Sequence, residues 1–115
     1  MRHSNNKRKF GRVTKVRSGL MKSLALALVK TGKIMTTDAK ARELRPFVEK
    51  LVTVGKKTTL ASHRALISRV GGIAADKITK NLAPKYAKRA GGYTRITKLP
   101  QRVSDGSFMS IIEFV

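Results

Sequence analysis

The first seventeen residues contain eight side chains that can bind anions, and they contain no acidic residue. Lysine and arginine neutralise phosphate groups, and the planar guanidinium of arginine can also hold a phosphate with two N–H groups or stack on a base. The pattern therefore predicts a polyanion-binding segment, although a solvated tail of like charges has the same composition. The side chains concerned are Arg2, His3, Lys7, Arg8, Lys9, Arg12, Lys15 and Arg17.

A second basic cluster surrounds a pair of adjacent glycines near residue 90. Adjacent glycines let a backbone approach a phosphate closely, and a neighbouring aromatic ring can stack on an unpaired base. We therefore predict that this segment also contacts nucleic acid; the alternative is an ordinary turn between a helix and a strand with a half-buried tyrosine. The residues assigned to this contact are Lys88, Arg89, Gly91, Gly92, Tyr93 and Arg95.

Catalysis and metal binding have little support in the sequence. The absence of cysteine excludes disulfides, thiolate metal sites and cysteine nucleophiles. His3 and His63 are the only histidines, and neither has a second ligand at a metal-binding spacing. The chain also lacks the glycine-rich patterns that hold nucleotides. We predict no enzymatic activity, no metal, no cofactor and no small-molecule substrate.

The charge of the whole chain agrees with the two clusters. Twenty-six Lys and Arg residues stand against six Asp and Glu residues, which gives a net charge of +20. Sixteen of these net charges lie in residues 1–37 and 77–115. Repulsion on this scale opposes a compact state unless a polyanion neutralises it, and nucleic acid has the highest density of fixed negative charge. Nucleic acid is therefore the expected partner, ahead of a membrane surface or an acidic protein.

The length of 115 residues predicts one domain. Residues 1–15 contain too few apolar side chains to bury, so we interpret them as a basic N-terminal arm that becomes ordered on binding, and residues 16–115 as a single globular domain. Leu20, Leu24 and Leu28 recur at a spacing of four and predict an amphipathic helix that Gly32 ends.

The rest of the chain predicts three more helices and three strands. The class is α+β, with two layers, in which helices pack on a small three-stranded sheet in the order α-β-α-α-α-β-β. The predicted elements are an edge strand at residues 34–36, a helix from Thr37 (its N-cap) to Gly55, a helix at 59–70, a helix at 73–82 closed by Pro84, and strands at 93–99 and 108–115 joined by a turn at 100–107.

Two other interpretations fit the N-terminal half less well. Its basic start, free of acidic residues, is also typical of a transit peptide. The helix that begins at Leu20 could lie on a membrane surface, but its polar face carries only two lysines and it has no Trp or Phe, so packing in the core is favoured. We predict no contact with a membrane.

Five stretches together resemble the bacterial large-subunit ribosomal protein seventeen family, and the resemblance extends over nearly the whole chain in order. The most distinctive stretch is Arg-Ala-Gly-Gly-Tyr-Thr-Arg-Ile. The sequence differs from the family pattern at 102–106, where Asp105 precedes Gly106. The five stretches are residues 1–3, 36–45, 49–53 and 89–96, and the ending with Met109 and Ile112-Glu113.

The resemblance implies a two-layer α+β fold and a structural, non-catalytic role in translation. It implies binding to 23S ribosomal RNA near the rim of the peptide exit tunnel, contacts with neighbouring large-subunit proteins, and a cytoplasmic location in the ribosome. The alternative from another class is a nucleoid-type architectural protein that compacts DNA. Such proteins usually insert an apolar side chain from a loop tip, and the sequence shows no evident one.

Overall fold

The computed structural model describes residue 3 and residues 7–115. The helices are α1 (Thr14–Thr31), α2 (Asp38–Gly55), α3 (Leu60–Val70) and α4 (Gly72–Lys77); α4 continues through a π-helical turn (Ile78–Leu82) into the short α5 (Ala83–Lys85). The strands are β1 (Lys33–Thr37), β2 (Thr94–Leu99) and β3 (Met109–Phe114).

Helix α1 ends as predicted but begins six residues earlier. Gly32 adopts the left-handed conformation at φ 82°, and its N–H donates to the carbonyl oxygen of Leu28. The predicted start after Gly19 was wrong, because Gly19 lies on an exposed side of the helix and costs only its weak helix propensity there, about 1 kcal/mol. The helix therefore begins inside the segment predicted as an arm.

Helix α2 confirms its predicted cap at Thr37. The hydroxyl oxygen of Thr37 accepts a hydrogen bond from the N–H of Lys40, and Asp38 lies in the first turn, where the helix dipole favours an acid. Asp38 also accepts a 2.7 Å hydrogen bond from the hydroxyl of Ser110 in β3. This bond, together with Arg42, lowers the pKa of Asp38. The first turn of α2 is thus tied to the sheet.

The helical run does not stop at Pro84, so that prediction was wrong. In the π-helical turn the N–H of Ala83 donates to the carbonyl oxygen of Ile78, five residues earlier. This wider turn changes the register just before Pro84, which then lies in the first turn of α5. A proline costs no hydrogen bond in a first turn, because its N–H would have no helical partner there.

The three strands form an antiparallel sheet in the order β1-β3-β2. The central row is Ile34, Ile112 and Ile96, and all three side chains contact the core between the sheet and the helices. The α+β class, the order of the elements and the edge position of β1 are confirmed. The largest fully buried side chains of this core are Tyr93, Leu28, Leu44, Leu51, Leu66, Ile78 and Ile112.

Candidate nucleic-acid interface

All six acidic side chains lie within 4 Å of an arginine or histidine side chain, and none of these pairs involves a lysine among the residues that the structure describes. Five partners are arginines and the sixth is a histidine. The lysines of the described residues therefore form no ion pair within 4 Å. The pairs are Arg8–Glu43, Arg42–Asp38, Arg45–Glu49, His63–Asp76, Arg95–Glu113 and Arg102–Asp105.

Several arginines of the first predicted cluster contact the protein itself. Phe10 and Gly11 both have positive φ, at 56° and 62°, and form a turn before α1. Arg12 donates to the carbonyl oxygen of Phe10 at 2.7 Å, and Arg17 donates to that of Arg12 at 3.1 Å. Arg8 lies 3.5 Å from Glu43 of α2. These contacts link the residues before α1 to their own backbone and to Glu43 of α2.

The other described members of this cluster are exposed to solvent. His3, Lys7, Lys9 and Lys15 are exposed, and Lys15 lies in the first turn of α1. The prediction for Arg2 lies outside the described residues. The exposed ammonium groups can therefore reach an anion without a rearrangement of the fold.

The loop between α5 and β2 has the backbone that its glycines predict. Gly91 and Gly92 adopt φ values of 99° and 64°, which side-chain-bearing residues rarely adopt. A Cβ atom at either position would meet no atom within 4 Å. The glycines are therefore needed for the backbone conformation, and the space outside the loop is open to a ligand.

The structure does not support base stacking by Tyr93, and this corrects the prediction for that residue. Its side chain is only 1% exposed, and its ring packs against Tyr86 with 5.1 Å between the ring centroids. Buried aromatic rings contribute apolar area while their hydroxyl groups take hydrogen-bond partners. Tyr93 follows this rule, since its hydroxyl donates to the carbonyl oxygen of Arg89 at 3.1 Å.

Lys56, which sequence reasoning missed, completes this arrangement. Its Nζ donates to the carbonyl oxygen of Arg89 at 2.6 Å and to the Tyr93 hydroxyl at 3.1 Å. The bond from Lys56 is also the largest cause that lowers the pKa of Tyr93. We call Lys56, Tyr93 and residues 88–92 the glycine loop site. No local pattern could have identified Lys56, because it lies 37 residues before its tyrosine partner.

The two predicted clusters meet α2 at different places. The arm touches Glu43 in the second turn, whereas the glycine loop site is held by Lys56, directly after the helix ends. Thirteen residues at 1.5 Å each place these points about 20 Å apart. The structure thus forms two basic sites along one rigid helix.

Arg95 does not join the glycine loop site, although it follows Gly92 closely in sequence. Strand pairing places it beside Glu113, and its Nε and Nη2 atoms lie 3.2 and 2.9 Å from the same carboxylate oxygen. Arg89 stays exposed in the loop. The predicted second cluster is therefore divided between a loop and a strand.

The turn at 100–107 is stabilised by a forked ion pair. The Nε and Nη2 atoms of Arg102 lie 3.0 and 2.7 Å from the two carboxylate oxygens of Asp105, and this pairing holds the pKa of Asp105 well below its usual range. Val103 lies fully exposed on this turn. An apolar residue at a loop tip is thus present, contrary to the sequence analysis, and its supposed absence no longer argues against a DNA-compacting protein.

The described part of the chain forms neither a metal-type cluster nor a membrane-spanning helix. No group of three or more possible metal-ligating side chains comes together there. None of its helices combines the length and the apolar character needed to cross a bilayer.

Comparison with known proteins assigns the chain to a family. The sequence model of the family described as "Ribosomal protein L17" matches residues 20–115. The chain is 45% identical to the "Large ribosomal subunit protein bL17" of Nautilia profundicola, with all of this chain and 98% of the relative covered. The proteins of the same name from Sulfurimonas denitrificans and Persephonella marina are 44% and 49% identical, over all of this chain and 100% and 95% of the relatives. The resemblance noted in the sequence is confirmed: this chain belongs to the ribosomal protein L17 family.

Proposed function

We propose that this protein is a structural constituent of the large ribosomal subunit that binds 23S ribosomal RNA through two basic sites and catalyses no reaction. Membership of the L17 family supports the place in the large subunit and the structural role. The family resemblance in the sequence further suggests a position near the rim of the peptide exit tunnel.

The observation that carries the RNA-binding part is the pairing of the acids. All six acidic groups are engaged with arginine or histidine, so the many exposed lysines keep their charge for an external anion. When these lysines neutralise RNA phosphates, they release the cations that are condensed on the RNA, which is a large favourable contribution to affinity. The proposed contacts are Arg2, His3, Lys7, Lys9, Arg12, Lys15 and Arg17 in the first site, and Lys88, Arg89, Gly91 and Gly92 in the second; Arg8 and Arg95 are paired with Glu43 and Glu113 instead.

The glycine loop site is suited to phosphate for a further reason. Lys56 and Tyr93 both donate hydrogen bonds to the carbonyl oxygen of Arg89, so this acceptor already has partners within the protein. The exposed side chains of Lys88 and Arg89 and the open backbone at Gly92 then form the outer surface. This loop needs little rearrangement before binding, whereas we propose that the arm orders on the RNA.

A salt titration tests the proposal. The full chain would be titrated with a fragment of 23S RNA at several salt concentrations. If about eight phosphates are neutralised, log K falls against log salt with a slope of roughly −6 to −7. A slope shallower than about −2 contradicts the electrostatic mechanism. Equal affinity for duplex DNA of matched length would instead favour the architectural DNA-binding alternative.

A further inference from the structure

The face of the sheet that points away from the helices is unusually apolar. Side chains alternate along a strand, and the strand register therefore places nine residues on this face in three rows. None of the nine belongs to the core or packs against it. We call this surface the outer sheet face; its rows are Lys33–Glu113–Arg95, Met35–Ile111–Thr97 and Thr37–Met109–Leu99.

Two of the three rows carry large apolar side chains that no helix or strand of residues 7–115 covers. Met35 is 67% exposed, and Ile111, Met109 and Leu99 are only half-buried. Phe108, directly before β3, is also 67% exposed. A free face of an antiparallel sheet is normally polar, so large apolar side chains on two adjacent rows of this face point to a contact with another molecule.

The charges on this face do not suit RNA. Its cations are Lys33 and Arg95, and the Arg95 guanidinium donates two hydrogen bonds to one carboxylate oxygen of Glu113. The face therefore carries little net charge in a chain of net charge +20. A phosphate-binding surface needs uncompensated cations, and those of this protein lie elsewhere.

A second copy of the chain, stacked with its strands aligned to those of the first, does not fit either. If two such faces stacked about a two-fold axis along β3, Glu113 would oppose its own equivalent and Lys33 would oppose Arg95, so that like charges would meet. If the axis ran across the strands, the charged row would cover Met109 and Leu99. Two copies would also each bring a net charge of +20.

Resting on the proposed place of this chain in the large subunit, we propose that the outer sheet face is where one of the neighbouring subunit proteins docks, through apolar side chains against Met35, Ile111 and Met109 and a carboxylate against Lys33. The face covers only about 250 Å² in projection, from strand spacings of about 4.8 Å and rises of about 3.4 Å. Stable complexes bury about 800 Å² on each partner. The contact therefore forms when both proteins are held on the same RNA.

Methionine oxidation tests this placement directly, because Met35 and Met109 lie on the face while Met21 packs against the core from α1. Hydrogen peroxide would be applied to the free chain, to the chain bound to protein-free 23S RNA, and to purified large subunits. Mass spectrometry would then give the rate at each methionine. We expect Met35 to oxidise at least about tenfold more slowly in the subunit than in the free chain, and at the free rate on RNA alone.

Two results would overturn the proposal. Oxidation of Met35 at the free rate in the subunit would show that nothing covers the face, and protection on RNA alone would show that RNA covers it. A chain that fails to bind protein-free RNA would contradict the proposed RNA-binding function instead, while the comparison of subunit with free chain would still decide the present proposal.

A matched pair of substitutions gives a second test. Met35→Gln removes an apolar group from the face, and Ile73→Gln does the same at a similarly exposed position on α4. Each variant would compete with the unsubstituted chain for incorporation into large subunits, after thermal melting has shown that both fold. We expect Met35→Gln to be under-represented by at least about threefold and Ile73→Gln to be incorporated equally. Equal incorporation of both variants contradicts the proposal.

Discussion

Arg89 and Arg95 lie six residues apart in one basic stretch, yet the structure gives them different surroundings. Arg89 is exposed in the glycine loop site, beside a backbone that Lys56 and Tyr93 hold in place. Arg95 lies on the outer sheet face and is paired with Glu113. The same residue type is therefore free for an anion in one region and neutralised in the other. The contrast shows that the distribution of free charge depends on pairing more than on sequence position.

The largest expected effect on stability comes from two neighbouring isoleucines of β3, which lie on opposite faces of the sheet. Ile112 is fully buried in the core, so Ile112→Ala should lower the free energy of unfolding by about 3 kcal/mol. Ile111 lies on the outer sheet face, so Ile111→Ala should cost about 1 kcal/mol or less. Denaturant unfolding measures both. Equal losses would show that the outer face is packed in the isolated chain.

Removal of residues 1–13, which precede α1, tests whether this basic segment binds RNA. The deletion removes several phosphate contacts, and we expect the affinity for an RNA fragment to fall about 100-fold at physiological salt. The cooperative melting transition should persist, because no residue in this segment belongs to the described core. Filter binding and calorimetry measure the two effects. Loss of cooperative melting would instead make the segment part of the globular domain.

The hydrogen bond between Ser110 of β3 and Asp38 of α2 makes a smaller contribution to stability, and this contribution depends on pH. Ser110→Ala removes the hydrogen bond to Asp38 and should cost about 1 kcal/mol. The folded-state pKa of Asp38 lies below its ordinary 3.8, so its contribution to stability is complete above that value and is lost as the pH falls through the folded pKa. The variant raises this pKa and moves the loss to higher pH. An NMR titration of the Asp38 carboxyl group measures the shift, and an unchanged pKa would show that Arg42 alone is sufficient.

The smallest effect concerns Arg95 itself. Glu113→Gln frees the Arg95 guanidinium without moving the strand. If the outer sheet face does not meet RNA, the slope of log K against log salt should change by less than about 0.3, whereas a new phosphate contact would steepen it by roughly 0.7–0.9. Lys88→Gln serves as the control and should make the slope shallower by about 0.7. A steeper slope for Glu113→Gln would place RNA on the outer face.

Much of the fold followed from local patterns. The Thr37 cap, the stop at Gly32 and the three strands were predicted, because periodicity and end signals act within a few residues. The predicted helix boundaries were wrong at two places, where a helix-breaking residue did not interrupt the helix. Gly19 was tolerated inside α1, and a π-helical turn placed Pro84 where a proline is harmless.

Within the candidate site, the cations of the arm and the glycine pair were predictable from composition and spacing. The role of Tyr93 was not, because a tyrosine beside two glycines has the same local sequence whether its ring faces a base or the core. Only the packing against Tyr86 and the bonds to Lys56 and Arg89 decide this.

The sequence by itself determined the surplus of positive charge, the helical and extended segments, and the family. The tertiary structure alone decided which cations are paired, where the tyrosine ring lies, and that one face of the sheet is apolar and nearly neutral. The reason is one of distance along the chain. Arg8 meets Glu43 across 35 residues and Lys56 meets Tyr93 across 37, and no short-range pattern specifies contacts between groups so far apart.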